Sequence, residues 1–240
     1  MNSVIKTILG HRSIRQFSDQ GISSEQLQSI IDCGIAASTS SLLQAVSIIR
    51  VTEPEKRAKL AELAGPQPYV EQAAEFLVFC IDFHRHQQIN PQSQLDFTEL
   101  TLIGAVDAGI MAQNCLLAAE SMGLGGVYIG GLRNAPAEVD ALLDLPQHCA
   151  ILFGMCLGHP AQDPELKPRL SPQAILHENR YQPERQSWVS EYDERLSDYY
   201  QQRSANAKQE KWSEQIGAKL NHESRPYIKD YLASKNLAKR

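Results

Sequence analysis

The stretch from Thr98 to Met122 constrains this chain most. It is rich in Ala, Leu and Ile, carries little charge around most of its circumference and is closed by Gly123. A helix with so little polar surface cannot face water on all sides, so it is either the spine of a core or half of a subunit interface. Small residues recur along it (Gly104, Ala105, Ala108, Gly109, Ala112) and allow neighbouring elements to come close. A shorter run, Phe76 to Phe83, is almost continuously apolar and reads as a strand buried on both faces.

Around these two segments the pattern alternates between helix and strand. Val4, Ile5, Ile8 and Leu9 form a short helix ending at Gly10. Ser23 with Gln26 resembles a capping box, and Leu27, Ile30, Ile31 and Ile35 then fall on one helix face. The hydroxyl run Ser38–Ser41 ends that helix. Val46 to Val51 is rich in β-formers, and Pro54 opens a charged helix that stops at Gly65. Gly125 to Gly131 is a short strand between glycine pairs, Asn134 with Pro136 begins another helix, and Ala150 to Leu157 is a further buried strand. Residues 158–183 are proline-rich and irregular. From Trp188 the chain is polar helix with Tyr192, Leu196, Tyr199 and Tyr200 as one stripe. There is no strict βαβ rhythm, so the fold class is α+β, a helix-covered sheet. The 240 residues form one domain, with a C-terminal arm of about 184–240 that packs on the main body or on a partner subunit.

Composition excludes several function classes. A formal net charge of −5 argues against a nucleic-acid binder, which needs a basic footprint. No uninterrupted apolar run reaches the roughly 18–20 residues of a spanning helix, and the first ten residues lack a signal-peptide core, so the chain reads as cytoplasmic. The five cysteines (Cys33, Cys80, Cys115, Cys149, Cys156) stand at irregular spacing in apolar stretches and read as reduced, buried thiols. No pair has zinc-ligand spacing, and His84 and His86 read as solvated polar residues, so no metal is expected. The glycines at 123–131 never fit GxGxxG, and there is no phosphate loop, no nucleophile elbow and no HExxH.

The most unusual segment is His11-Arg12-Ser13-Ile14-Arg15. In an extended conformation Arg12 and Ile14 face one way while His11, Ser13 and Arg15 face the other. Two planar, permanently charged guanidinium groups suit a phosphate and a second electron-rich group. By spacing alone the commoner reading of the same residues is a helix C-terminus dressed with cations that complement its dipole. Ser38–Ser41 offers hydroxyls or simply caps a helix. Lys167-Pro168-Arg169 offers two cations on a rigid turn, or plain surface charge. Gly125–Leu132 lets backbone approach a flat ligand, or only makes tight turns.

Taken together, HRSIR, AASTSSLLQ, AAEFLVFC, AAESMGLGGVYIGGLR, KPRL and the late SRPYI resemble the nitroreductase superfamily over essentially the whole chain. Within it they resemble the group containing the NADPH-specific flavin reductase of luminous bacteria and the major oxygen-insensitive nitroreductase. The resemblance implies a domain-exchanged homodimer with a mainly antiparallel sheet and FMN at the subunit interface. It implies that His11, Arg12 and Ser13, with Lys167, Pro168 and Arg169, hold the phosphate and ribityl end. Ile14 lies in the same segment, and Arg15 would stand near the pyrimidine edge, where a fixed cation stabilises charge that develops on reduction. Thr39 and Ser40, Gln67, Pro68 and Tyr69, and the turn Tyr128-Ile129-Gly130-Gly131 are the further flavin contacts. Position 39 is Thr where relatives show Ser; the hydroxyl survives but its χ1 is stiffer.

The implied activity is NADPH-dependent reduction of free flavin, nitroaromatics or quinones, in ping-pong order, with no nucleophilic side chain. NADPH preference requires a cation for the 2′-phosphate; Arg203 and Lys208 in the polar loop 201–209 are candidates, followed by Arg225. A flavin-dependent monooxygenase or luciferase would be the partner for released reduced flavin. The competing reading, from a different class, is a carrier or sensor that binds FMN without turnover.

Overall fold

The computed structural model describes residues 1–183, 187–202 and 211–240. The chain divides into two compact units, residues 1–163 with 225–240, and residues 164–224. The first unit contains helices α1 (Ser3–Leu9) and α2 (Ser24–Ile35), strand β1 (Val46–Arg50), helices α3 (Pro54–Leu63) and α4 (Tyr69–Gln72), and strand β2 (Glu75–Asp82). It continues through α5 (His84–Ile89), α6 (Thr98–Ser121), β3 (Gly125–Ile129), α7 (Pro136–Leu142) and β4 (Cys149–Gly158). The second unit holds α8 (Pro172–Ile175), α9 (Ser187–Gln202) and α10 (Trp212–Leu220), after which α11 (Ile228–Ser234) belongs again to the first.

The four strands form one antiparallel sheet in the order β1-β2-β4-β3. β2 is an inner strand and is apolar from Phe76 to Ile81 because both its faces are covered, which is why that run shows no alternation. Leu77 and Phe79 point to the α6 side, where they meet Ala108, Ala112, Cys115 and Leu116. Phe76 and Val78 join the opposite cluster with Leu60, Val70 and Leu132. Pairing of β2 with β4 is regular except for a shift between Phe79 and Cys80, where Leu152 becomes an extra residue on β4. Beyond the pair Ile129–Gly154, β3 turns away into a 3-10 turn (Gly130–Asn134), and side chains meet the β4 backbone instead. Arg133 donates to the Leu152 carbonyl, and the Tyr231 hydroxyl accepts from the Ile151 N–H at 3.1 Å.

α2 begins at the expected capping box: the Ser23 hydroxyl accepts from Gln26 N, and the Gln26 side chain from Ser23 N. Its Ile30 is fully buried, whereas Ile35, grouped with it by spacing, is 61% exposed at the helix end. By length and composition α6 is the one described helix that could cross a membrane. Here it lies against the sheet with seven buried residues, among them Asp107, and serves as the core helix of the unit. Its opposite face leaves Leu102, Val106 and Ile110 exposed.

Among the cysteines the expectation holds for four. Cys80, Cys115, Cys149 and Cys156 are buried and free, whereas Cys33, on the outer side of α2, is exposed. Burial pushes the Cys115 and Cys156 thiols up to about 12, which keeps them protonated and inert. His84 and His86 depart from expectation too. Both are half-buried on α5, and His86 Nε2 lies 2.7 Å from the Leu43 carbonyl, so it ties α5 to the chain entering β1.

In the second unit Tyr192, Leu196 and Tyr200 are buried on one face of α9, as their spacing requires, with Leu170, Tyr199 and Trp212 packed around them. Ser213 on α10 bonds the buried Asp193 through both its N–H and its hydroxyl.

Candidate functional site

The N-terminal cationic segment is extended and lies beside β3. Ser13 forms a parallel bridge with Gly126, and Ile14 N donates to the Gly126 carbonyl at 3.0 Å. Ile14 is buried against Gly125, where a Cβ would come within 2.6 Å of its side chain; only a glycine lets the two backbones lie this close. Alternation then sets the faces as expected. Arg12 and Ile14 line one hollow with Lys6, Glu120 and Asp163. Arg15 is exposed, its backbone N–H donates to Gln162 Oε1 at 3.2 Å, and its guanidinium has no acidic partner among the described residues.

The other residues of the segment are partly engaged. His11 Nδ1 lies 2.5 Å from Glu120 Oε1 near the end of α6, which fixes the ring. Arg12 Nη1 stands 3.6 Å from the exposed Asp163, a loose pair, and its Nε is buried without a partner among the described residues. A buried guanidinium N–H left unmatched is costly, and an oxyanion is the group that satisfies it best.

A second convergence brings Gln67–Tyr69 to the turn after β3. Gln67 Nε2 donates to the Ala64 carbonyl at 2.7 Å, and Tyr69 OH donates to Gln67 Oε1 at 2.8 Å. Gly131 packs onto this pair: a Cβ there would sit 2.2 Å from the Ala64 oxygen and 2.6 Å from Gln67 Nε2. Pro68, exposed, precedes α4 as its cap residue. Ile129 is buried, while Tyr128 points outward, its ring edge-on to Phe153 at 5.4 Å and its hydroxyl 3.3 Å from Gln113. Burial, with Cys115 and Glu120 nearby, raises the Tyr128 phenol well above its usual range, so it remains a neutral donor. Arg225 bonds the Asn134 side chain at 2.8 Å and the Gly130 carbonyl at 3.3 Å. It thus braces the same turn.

Thr39 and Ser40 are held by a residue the sequence reading passed over. Asp107, from the middle of α6, accepts from the Thr39 hydroxyl at 2.5 Å and from Ser40 N at 3.2 and 3.3 Å. A single carboxylate in the buried stretch of an apolar helix was the available signal. Arg133 was also missed; it looks like an ordinary cation after a glycine pair until the bulged β4 carbonyl is seen beside it.

Lys167, Pro168 and Arg169 lie in the second unit. Lys167 Nζ stands over the Tyr200 ring at 5.5 Å, Pro168 O accepts from Tyr192 OH at 3.0 Å, and Arg169 Nη1 folds back on the Lys167 carbonyl at 2.9 Å. The turn is thus tied to α9 through Lys167 and Pro168, while Arg169 bonds only the turn's own backbone. Arg203 and Lys208 lie outside the described residues.

Within the first unit, the Arg15 guanidinium without an acidic partner and the unmatched Arg12 Nε, both among the described residues, suit a ligand carrying an anionic tail. Among the described residues no group of His, Cys, Asp and Glu could hold a metal. These features are ones a flavin-type redox protein would use.

Comparison with known proteins gives this class its family. The model of the Nitroreductase family matches residues 8–159, and that of the Nitroreductase family C-terminal domain matches residues 167–240. The chain is 62% identical over 240 residues to the NADPH-flavin oxidoreductase of Vibrio harveyi, covering all of both chains. It is 48% identical to the oxygen-insensitive NADPH nitroreductase of Salmonella typhimurium, again over the full length of both. Among solved structures it superposes on nitroreductase A from Vibrio parahaemolyticus with a TM-score of 0.96 at 62% identity, and on the NADPH:FMN oxidoreductase from Vibrio harveyi complexed with NAD+ with 0.94 at 61% identity, in both cases over 100% of each chain. The chain belongs to the nitroreductase family and has its fold.

Proposed function

We propose that this protein is an NADPH-dependent FMN oxidoreductase that reduces free flavin or nitroaromatic and quinone acceptors. The observation that carries the reading is the docking of the cationic segment on β3, through Ser13–Gly126 and Ile14–Gly125, in a chain 62% identical to an NADPH-flavin oxidoreductase. Bound FMN would supply the hydride-accepting and hydride-donating ring. The chain's own residues bind and orient. Arg12 and Ser13 suit the phosphate end, as do Lys167 and Arg169 by family resemblance, and Arg15 suits the electron-rich pyrimidine edge. By family resemblance the 128–131 turn would lie against the flavin ring, with a backbone N–H donating toward it. Positioning and fixed charge are then the catalytic contributions, and a ping-pong order follows if donor and acceptor use one place in turn.

The NADPH preference is assigned to Arg203 and Lys208, with Arg225 third because its guanidinium is already engaged on Asn134 and Gly130. The dimer reading is supported by exposed apolar side chains on three helices, Val4 and Ile8 of α1, Ile35 of α2, and Leu102, Val106 and Ile110 of α6, which a second copy would cover. The domain reading and a soluble, cytoplasmic location belong to the same proposal, as does transfer of reduced flavin to a monooxygenase or luciferase.

Anaerobic mixing of the FMN-loaded protein with NADPH tests the central claim. Bleaching of the yellow absorbance within the turnover time, and reoxidation by free FMN or nitrofurazone, are expected. A spectrum that stays yellow identifies a carrier. Arg203→Ala should raise KM for NADPH far more than for NADH; an equal effect on both removes Arg203 from the role.

A further inference from the structure

The hydroxyl of Thr39 has a single hydrogen, and the fold has already placed it. Thr39 Oγ1 donates to Asp107 Oδ2 at 2.5 Å, and a carboxylate can only accept. The same oxygen accepts from Gln44 N at 2.9 Å, which occupies one of its two lone pairs. One lone pair remains. Asp107 is 5% exposed and has no cation bonded to it among the described residues, so its oxygens are satisfied by this hydroxyl and by Ser40 N. The loop it holds contains three non-glycine residues in the left-handed region, Ser41 at φ 49°, Leu42 at φ 56° and Gln44 at φ 54°. Such conformations are strained for residues with a Cβ and persist only where other contacts impose them. The Asp107–Thr39–Gln44 chain spans the loop from its first residue to its last, and His86 holds the Leu43 carbonyl between them.

We propose that Asp107 is the positioning residue of the 39–44 loop and that it fixes Thr39 as a hydrogen-bond acceptor, so that Thr39 meets a donor group of the flavin and not its phosphate. This deepens the flavin-site reading and rests on it. An O–H of the ribityl chain or the ring N3–H fits a lone pair held in this way. A phosphate oxygen, itself an acceptor, does not. The exposed hydroxyls of Ser40 and Ser41, which take no hydrogen bond among the described residues, keep their hydrogens free for anionic oxygens. The stiffness of Thr at this position then serves the arrangement, since the rotamer that reaches both Asp107 and Gln44 is the one required.

The test compares FMN with riboflavin, which differs by the phosphate alone. Apoprotein of the wild type and of Thr39→Val, Thr39→Ser and Asp107→Asn is titrated with each flavin by fluorescence quenching, with the thermal midpoint of each apoprotein measured alongside. Thr39→Val should weaken both flavins by the same factor, about tenfold, and Thr39→Ser should restore binding to within about twofold, since a hydrogen bond to a fixed partner contributes on that order. Asp107→Asn should weaken both flavins equally as well, because its amide can donate to Thr39 and turn the hydroxyl hydrogen outward. Loss confined to FMN would show a phosphate contact and overturn the proposal. So would an Asp107→Asn protein, folded by its thermal midpoint, that binds both flavins as tightly as the wild type. A wild-type protein that binds neither flavin would instead sink the flavin-site reading and the proposal with it.

Discussion

Gly131→Ala probes the joint on which the candidate site depends. The added methyl would lie 2.2 Å from the Ala64 oxygen, 2.6 Å from Gln67 Nε2 and 3.0 Å from the Ala64 carbon. Carbon contacts become comfortable near 3.5 Å, so the turn and the Ala64–Gln67 loop must part by roughly an ångström. The obstacle is backbone, which cannot swing aside as a side chain would. Overpacking of this kind costs about 1–3 kcal/mol. The Ala64 oxygen also accepts from Gln67 at 2.7 Å and from Asn134 at 3.3 Å, and both bonds are lost or stretched when the methyl takes their place. At about 1 kcal/mol for each such bond, the total is about 3–5 kcal/mol. For a chain of this length each kcal/mol moves the melting temperature by about 2–4 °C, so Gly131→Ala should melt roughly 6–20 °C lower in a calorimetric scan of the apoprotein. Flavin affinity should fall in the same variant, since Gln67, Tyr69 and the turn lose their common register. A melting temperature within about 2 °C of the wild type would refute the reasoning, because it would mean that the contact relaxes freely.

Two further perturbations test other parts of the structure. Lys235 is buried, with Nζ 2.8 Å from Asp140 Oδ2 and 2.8 Å from the Leu145 carbonyl, so Lys235→Met leaves a carboxylate unpaired and should cost about 3–5 kcal/mol in denaturant unfolding. Adding Asp140→Asn should recover part of that loss; equal losses in the single and double variants would show that the charge pairing is irrelevant. Burial pushes the His148 imidazole below its ordinary value of 6.5, so the unfolded chain binds more protons than the folded one in the window beneath 6.5. Stability is then at its full value above pH 6.5 and declines as pH falls from there toward the depressed folded-state value. His148→Asn, which also tolerates the φ of 62° at this position, should flatten that acid limb, and an unchanged limb would assign it to other groups.

Much of the site could be read from the chain because its parts are local. HRSIR and the 125–131 glycines follow from short-range patterns, whereas the 67–69 loop entered only through the family resemblance; the fold brings the first and third of these against the second. The hydroxyl run was read correctly as a feature but not in its bonding, because its partner Asp107 lies sixty-eight residues from Thr39. Arg133 escaped for the same reason: its partner is a carbonyl exposed only by a bulge in another strand. His86 and Cys33 were assigned by local composition, which cannot tell the inner face of a short helix from the outer.

From the sequence alone came the α+β class, the buried β2, the long apolar α6, the capping box of α2 and the cationic segment, since each rests on periodicity, hydropathy or a backbone preference that acts within a few residues. Tertiary structure decided the strand order β1-β2-β4-β3, the bulge at Leu152 and the return of α11 to the first unit. It also decided which hydrogen of which hydroxyl is spoken for. These depend on contacts between residues distant in the chain, where packing and the pairing of buried polar groups choose among arrangements that local propensity leaves equal.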